Sequence, residues 1–389
     1  MSVSVVKFNV KDRPEFAKEL RRRVNAYFKE NNIAKQGNIH MQIKTVFMVS
    51  LYTIPFIFVL SGIFTSFWPI LAMFVLMGFG LAGIGLSVMH DANHGSYSKN
   101  KRVNDTLGWI LSYVGGYHIN WRIQHNVLHH SFTNVEGHDE DIQTGVMRAS
   151  PSQERKPIHR FQAFYITFFY GLLTFYWIVG KDIDQLLRYD KMGLYEAQGV
   201  TFGKALFHII ATKILYLAGT LVLPIYILEI PWWQTVIAFF IMHFIGGLIL
   251  ALIFQPAHVI EETEFFLPDD EGSVENNWTI HQLLTTANFA NGARAFSWFV
   301  GGLNYQVEHH LFPNICHVHY RKIAPIVEQT AKEYGIPYYN HKTFGKALLS
   351  HYKLLHDLGT GAYDRKKAKR EAEQEMKVQN VEKVASLAS

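Results

Sequence analysis

The sequence predicts an all-α integral membrane protein: two transmembrane helical hairpins, four spanning helices in all, with interfacial helices and a soluble helical cap. Three observations carry that reading. Four apolar runs, 43–64, 70–89, 205–228 and 232–254, are each about as long as a bilayer-crossing helix must be. They come in two close pairs, joined only by 65–69 and by Glu229, Ile230 and Pro231. Lysine and arginine crowd the N-terminal segment, the stretch 99–204 and the C-terminal region, while both hairpin tips have neither. By the positive-inside rule, that asymmetry puts both chain ends on the cytoplasmic side.

Bulk composition agrees with this class. A chain of 389 residues with 49% hydrophobic and 14% aromatic side chains is built to face lipid as well as a core. The single cysteine, Cys316, excludes a disulfide framework and reads as an inert small side chain. No basic-then-apolar run with a cleavage site opens the sequence, so the chain is expected to insert by its own helices. The net charge of +5 is modest and unevenly placed, which makes it a topology signal rather than nucleic-acid affinity.

Taken in order, 12–35 is polar and basic, with Phe16, Leu20, Val24, Ala26 and Phe28 at helical spacing. It predicts an amphipathic helix lying either against the bilayer or on the catalytic domain. The run 43–64, at 1.5 Å rise per residue, spans roughly 33 Å, and 70–89 returns it to the side it came from. The aromatic stretch 161–180 is long enough to cross. A single crossing there would place residues 309–310 opposite residues 90–130, so it is expected to lie in the interface between Arg160 and Lys181, as is the weaker run 106–117. The second hairpin follows. Beyond it, 323–332 and 344–356 read as helices of the cap, and 364–389 as a charged tail to which no chemistry is assigned.

The chemistry is concentrated in histidines. His90 and His94 stand four apart, as do His125 and His129, with His130 adjacent, and Gln306, His309 and His310 form a third cluster inside GGLNYQVEHHLFP. A buried imidazole must satisfy two ring nitrogens, so paired histidines are costly in an apolar core and natural at a metal. On a helix His90 and His94 share a face and converge on one metal; His125 and His129 repeat the spacing, and His130, one step round, reaches a second. Imidazole suits iron and zinc alike, so ligand type leaves the metal open.

These clusters, with their surroundings HDANHGS, WRIQHNVLHHSFTNVEGHDEDI and GGLNYQVEHHLFP, resemble the three histidine boxes of the membrane fatty acid desaturase and hydroxylase superfamily. The resemblance covers Ser87 to Tyr320, and the glutamine opening the third box is similar to the front-end branch. It implies a di-iron centre in a cytosolic helical cap, with two Fe ions, O2 as co-substrate and His90, His94, His125, His129, His130, His309 and His310 as ligands. His258, just past the fourth spanning run, matches an additional ligand of similar enzymes. The implied organisation is a cytosolic amphipathic segment (1–42), a desaturase domain (43–363) and the tail (364–389).

Around the ligands, Asp91, Asn134, Asp139, Glu140 and Asp141 are candidates for orienting imidazoles, against the alternative of a solvated acidic loop. Gln306 offers a poor iron ligand and suits a hydrogen bond to a ligand or metal-bound water at least as well. His317 and His319 are candidates for the same outer shell or for substrate contact. His208 and His243, within spanning runs, are expected to bond a neighbouring helix; His118, His138, His159, His281, His341, His351 and His356 read as structural. Trp109, Trp121, Phe289, Phe296 and Trp298 are candidate walls of a substrate tunnel.

The implied activity is O2-dependent desaturation of a fatty acyl chain, linoleoyl-CoA or a similar acyl lipid, with a hydroxylase of the same superfamily as the alternative. The carrier is acyl-CoA, acyl carrier protein or phospholipid. No His-Pro-Gly-Gly haem-binding segment occurs, so a separate cytochrome b5 or a ferredoxin is the expected electron donor, and the basic surface favours an acidic one. No Glu-x-x-His occurs either, which argues against a ferritin-like bundle, and no His-Glu-x-x-His, which argues against a zinc peptidase. A haem anchor would set histidines within the spans, and a transporter would gather polar groups at the midplane; here they cluster just outside.

Overall fold

The computed structural model describes residues 6–143 and 145–369. Four helices are long and apolar enough to cross a membrane: α2 (Ile39–Leu60), α3 (Phe67–Asn93), α6 (Phe202–Ile227) and α7 (Trp232–His258). Around them sit α1 (Pro14–Glu30), a bent pair α4 (Pro157–Gly171) and α5 (Leu173–Lys191), and the cap helices α8 (Trp278–Thr285), α9 (Gln306–Leu311), α10 (Tyr320–Glu333) and α11 (Phe344–Thr360). Two short parallel strand pairs tie distant segments together, Lys7–Phe8 with Ser273–Val274 and Ala287–Phe289 with Tyr339–His341. This is the membrane protein of two helical hairpins that the hydropathy pattern predicts.

The spans begin and end a few residues from where hydropathy alone puts them. α2 starts at Ile39 rather than 43 because the Asn38 side chain accepts a hydrogen bond from the His40 backbone N–H at 3.0 Å and caps the helix in polar sequence. α3 and α7 run on into their histidines. Pro256 lies inside the fourth span and leaves it continuous: the Val259 N–H still reaches the Gln255 carbonyl at 2.9 Å, and the helix carries His258. Proline removes one donor, and so close to a helix end the loss is local.

The stretch 161–180 is broken. α4 and α5 meet at a bend of 56° beside Leu172, with Phe164, Phe168 and Val179 facing outward. Chain connectivity decides its topology. His129 and His258 lie with ring centroids 4.8 Å apart, so the chain between them crosses the bilayer an even number of times. α6 and α7 supply two crossings, and the bent pair therefore stays on one side. At Gly247 a Cβ would stand 2.7 Å from the Gly171 carbonyl oxygen, so the missing side chain is what lets α7 and α4 touch backbone to backbone.

The amphipathic helix α1 lies on the cap. Phe16, Leu20 and Val24 are fully buried against Ile323 and Val327 of α10, each worth on the order of 1.5–3 kcal/mol. The tail assigned to 364–389 is described only as far as 369, where Asp364 pairs with Arg148 at 2.9 Å; the remainder lies outside the described residues.

Because the one native cysteine, Cys316, is buried, single-cysteine labelling in intact vesicles has a clean background. Arg160→Cys and Lys191→Cys are expected to react from the same face and Glu229→Cys from the other. Labelling of positions 160 and 191 from opposite faces would overturn the parity argument.

Candidate metal centre

Each histidine cluster arrives on a distorted piece of backbone. A π-helical turn, Ile84–Val88, precedes His90, and a longer one, Ile123–His129, carries the second cluster. Widened turns of this kind recur at functional sites because they shift side-chain register. Here the register change matters. With an i,i+5 repeat, His125 and His130 face each other, their Nε2 atoms 3.2 Å apart, while the rings of His125 and His129 stack with centroids 5.4 Å apart. His125 and His129 also bring ring nitrogens within 4.8 Å of each other and of an Asp141 carboxylate oxygen, the pairing their spacing predicts.

The third cluster is delivered by Gly301, whose φ is +63° and whose missing Cβ would collide with the Leu86 backbone. A left-handed glycine with no side chain lets the loop lie directly on the π turn of α3, so α9 presents its histidines to those of α3.

Of the overlapping all-histidine donor groups, two share no member. His90, His94, His125 and His309 form one; His129, His258 and His310 form the other; in each, one ring nitrogen per residue lies within 4.8 Å of every other. His130 stands between them, its Nε2 2.9 Å from that of His309 and its ring 4.3 Å from that of His310.

One atom of most of these rings is held and the other is bare. Nδ1 of His129 donates to Asp139 at 3.1 Å, Nδ1 of His258 to the Thr285 carbonyl at 3.2 Å, and Nδ1 of His310 to the Gln282 amide oxygen at 2.8 Å. Nδ1 of His90 lies 3.3 Å from Asp91, and that of His309 lies 3.2 Å from the Tyr320 hydroxyl. Carboxylate, carbonyl and amide-oxygen acceptors force the proton onto Nδ1, leaving a lone pair on Nε2. The Nε2 atoms of His90, His94, His129, His258 and His310 are buried with no partner among the described residues. Five unpaired acceptors at one place would be costly in a protein interior, and the same arrangement is what metal coordination requires. The residues present fit a pair of metal ions.

Charge agrees. Burial, and then the neighbouring imidazoles, hold His94, His125, His130, His309 and His310 well below the usual histidine range, which favours the neutral form that metal coordination requires. His129 is the exception: burial lowers it, and the Asp139 carboxylate more than offsets that.

The expected outer residues divide. Asp91 binds His317 Nδ1 at 2.8 Å as well as facing His90, and Asp139 and Asp141 both approach His129, Asp141 at 3.5 Å. Asn134 holds backbone instead of an imidazole, its amide donating to the carbonyls of His258 and Glu264 at 2.8 and 3.0 Å. Glu140 faces Arg188 at 2.7 Å, away from the rings. His319 reaches the Gln36 carbonyl at 3.0 Å and is a strut of the cap. Gln306 lies beside His258 with its amide oxygen buried and unpaired. His243 bonds Tyr216 at 2.8 Å, as expected of a histidine within a span. Sequence reasoning missed Gln282, Thr285 and Tyr320 as ring holders, and Lys44, whose Nζ is 2.6 Å from His317 Nε2.

A cavity of about 820 Å³ ends on His90, His125, His309 and Gln306. Its walls are apolar, including Leu128, Ile166, Leu173, Leu250 and Phe254, and its other end is polar, with Lys181, Gln185 and Arg188. Of the five aromatic residues expected along it, Trp121 lines it. Trp109, Phe289, Phe296 and Trp298 do not: Trp109 is half exposed, Phe289 and Phe296 pack on Phe344, and Trp298 sits against Phe47.

A helical membrane protein with a buried polyhistidine cluster beside a largely apolar cavity has the parts of a membrane enzyme that acts on an apolar chain. Comparison with known proteins gives the class a name. Residues 66–342 match the fatty acid desaturase family, and the chain belongs to it. The sequence is 38% identical to an sn-1 linoleoyl-lipid 6-desaturase of Arthrospira platensis over 87% of this chain and 91% of that one. It is 37% identical to the protein of that name from Synechocystis, covering 88% and 95%. An acyl-lipid (8-3)-desaturase of Physcomitrium patens is 35% identical over 89% of this chain and 72% of its own length. The protein is a multi-pass membrane oxidoreductase that desaturates fatty acyl chains.

His129→Ala and His309→Ala each remove a member of a different donor group. Both variants are expected to insert normally, bind less metal by elemental analysis and lose more than about 99% of activity. Full turnover by either would remove that residue from the centre.

Proposed function

We propose that the two imidazole groups hold two iron ions, and that the protein uses O2 to place a double bond between an existing one and the carboxyl end of an acyl chain esterified in a membrane lipid. The observation that carries this reading is a cluster of histidines with bare Nε2 atoms beside an apolar cavity that His90, His125 and His309 help to line. On this reading His90, His94, His125 and His309 bind one iron, His129, His258 and His310 the other, and His130 faces both. Iron is preferred to zinc on chemical grounds: methylene C–H bonds ignore acid and base, and zinc has no redox chemistry. When bound, the iron pair supplies an oxidant made from O2 and two electrons. The balance is one –CH2–CH2– unit, O2, two electrons and two protons giving –CH=CH– and two waters.

The protein's own part is positioning. The apolar walls exclude water and hold the chain in register with the cluster, while Asp91, Asp139, Gln282 and the Thr285 carbonyl hold imidazole tautomers and ring angles. Gln306 is suited to bond a group bound beside His258. The names of the relatives favour a linoleoyl chain on a glycerolipid, with the new bond at position 6. The distribution of lysine and arginine favours a cytoplasmic site and cytoplasmic ends, with a separate cytochrome b5 or ferredoxin as electron donor.

Expression in a host that lacks polyunsaturated lipids, with linoleate fed, tests the reading through fatty acid methyl esters. The expected product is the 18-carbon trienoate with a new bond at position 6, recovered from glycerolipids. A hydroxylated product, or a bond added on the methyl side, would contradict it.

A further inference from the structure

We infer that electrons reach the histidine cluster through a surface cleft that ends on His94, and that this cleft is the docking site of a small acidic one-electron carrier protein. The inference rests on the preceding proposal that the cluster is a redox metal centre.

Eight histidines make up the cluster, and seven of them are buried; His94 is partly exposed. Its Nε2 is enclosed with no partner, as in His90, His129, His258 and His310, so the ring faces the cluster while the residue as a whole is partly exposed. The exposed part lies in an open cleft of about 460 Å³. None of the residues that line the acyl cavity lines this cleft, so the cluster is approached from two separate directions. One approach is apolar and chain-shaped. The other is polar and open.

Three cations, Lys99, Lys101 and Arg122, and a single carboxylate, Asp105, make up the charged lining. Asp105 is shared, paired with Lys101 at 2.5 Å and with Arg122 at 3.2 Å, so the cleft keeps a net positive charge. Lys99 and Lys101 project into solvent at the rim. Such a surface recruits an acidic partner and raises its association rate.

The reaction needs two electrons that neither the acyl chain nor this protein's side chains supply. His94 lines the cleft, and its ring centroid is 4.7 Å from His90, 4.8 Å from His130 and 4.9 Å from His309. An electron delivered to His94 is therefore one ring contact from three other members of the cluster. A carrier whose redox group lies near its own acidic surface delivers the electrons singly, each carrier molecule being oxidised by one electron.

The test uses the intact iron-loaded protein in lipid nanodiscs, with the variant Lys99→Glu/Lys101→Glu. Neither side chain touches the histidines or the acyl cavity. Reduced [2Fe–2S] ferredoxin and reduced cytochrome b5 are titrated separately, and donor oxidation is followed with substrate and O2 present. For the donor that serves this chain, the variant is expected to raise KM about tenfold with kcat nearly unchanged, and higher salt to raise the wild-type KM. Reduction by dithionite with methyl viologen, which needs no docking, is expected to proceed at the wild-type rate. An unchanged KM for both carriers, an equal loss with the small reductant, or direct reduction of the wild type by NADPH would overturn the proposal. A wild-type protein whose metal dithionite does not reduce would instead overturn the redox reading beneath it.

Discussion

The structure depends on one constraint: imidazole rings buried at a single place, most of them with one nitrogen held and the other left bare. Polar atoms without partners are expensive inside a protein, and at least five are gathered here. Everything around them makes sense as a frame for that arrangement. Widened helical turns adjust the register of the first two clusters, a left-handed glycine brings the third against them, and α7 runs on through a proline to add His258. Metal coordination would relieve the cost of each bare nitrogen and so couple the fold to the proposed metal pair.

The frame also explains the topology. Histidines separated by more than a hundred residues and two spanning helices can meet only if the chain returns to the side it left. That requirement keeps α4 and α5 from crossing, although their composition alone permits it. The bend between them then serves a second purpose: Ile166 on one arm and Leu173 on the other both line the acyl cavity. The bent pair thus becomes one wall of the cavity beside the histidine cluster.

Much of this was legible in the sequence. Long apolar runs and paired histidines are local patterns, and local patterns survive in one dimension; the four spans and the three clusters could be read from them. That His130 also faces His125 could not, because a π turn looks like an α-helix in sequence. The ring holders Gln282, Thr285 and Tyr320 lie in ordinary stretches with no motif to mark them. Lys44 sits in an apolar run and meets His317 only through the tertiary fold. The tunnel walls were misread for a related reason: Phe289, Phe296 and Trp298 are near the third cluster in sequence, but they pack within the cap or beside α2. Placement of α1 was likewise undecided, since an amphipathic face fits a bilayer and a protein equally well.

The central claim is that two distinct groups of imidazoles bind two iron ions in one chain. Mössbauer spectroscopy of the purified protein loaded with iron-57, together with its iron-to-protein ratio, tests this directly. The account predicts two irons per chain, appearing as two inequivalent quadrupole doublets of equal area, because the two ligand groups differ in number and in the charge of their hydrogen-bond partners. A single iron per chain, or a preparation that is fully active with zinc in its place, would contradict it.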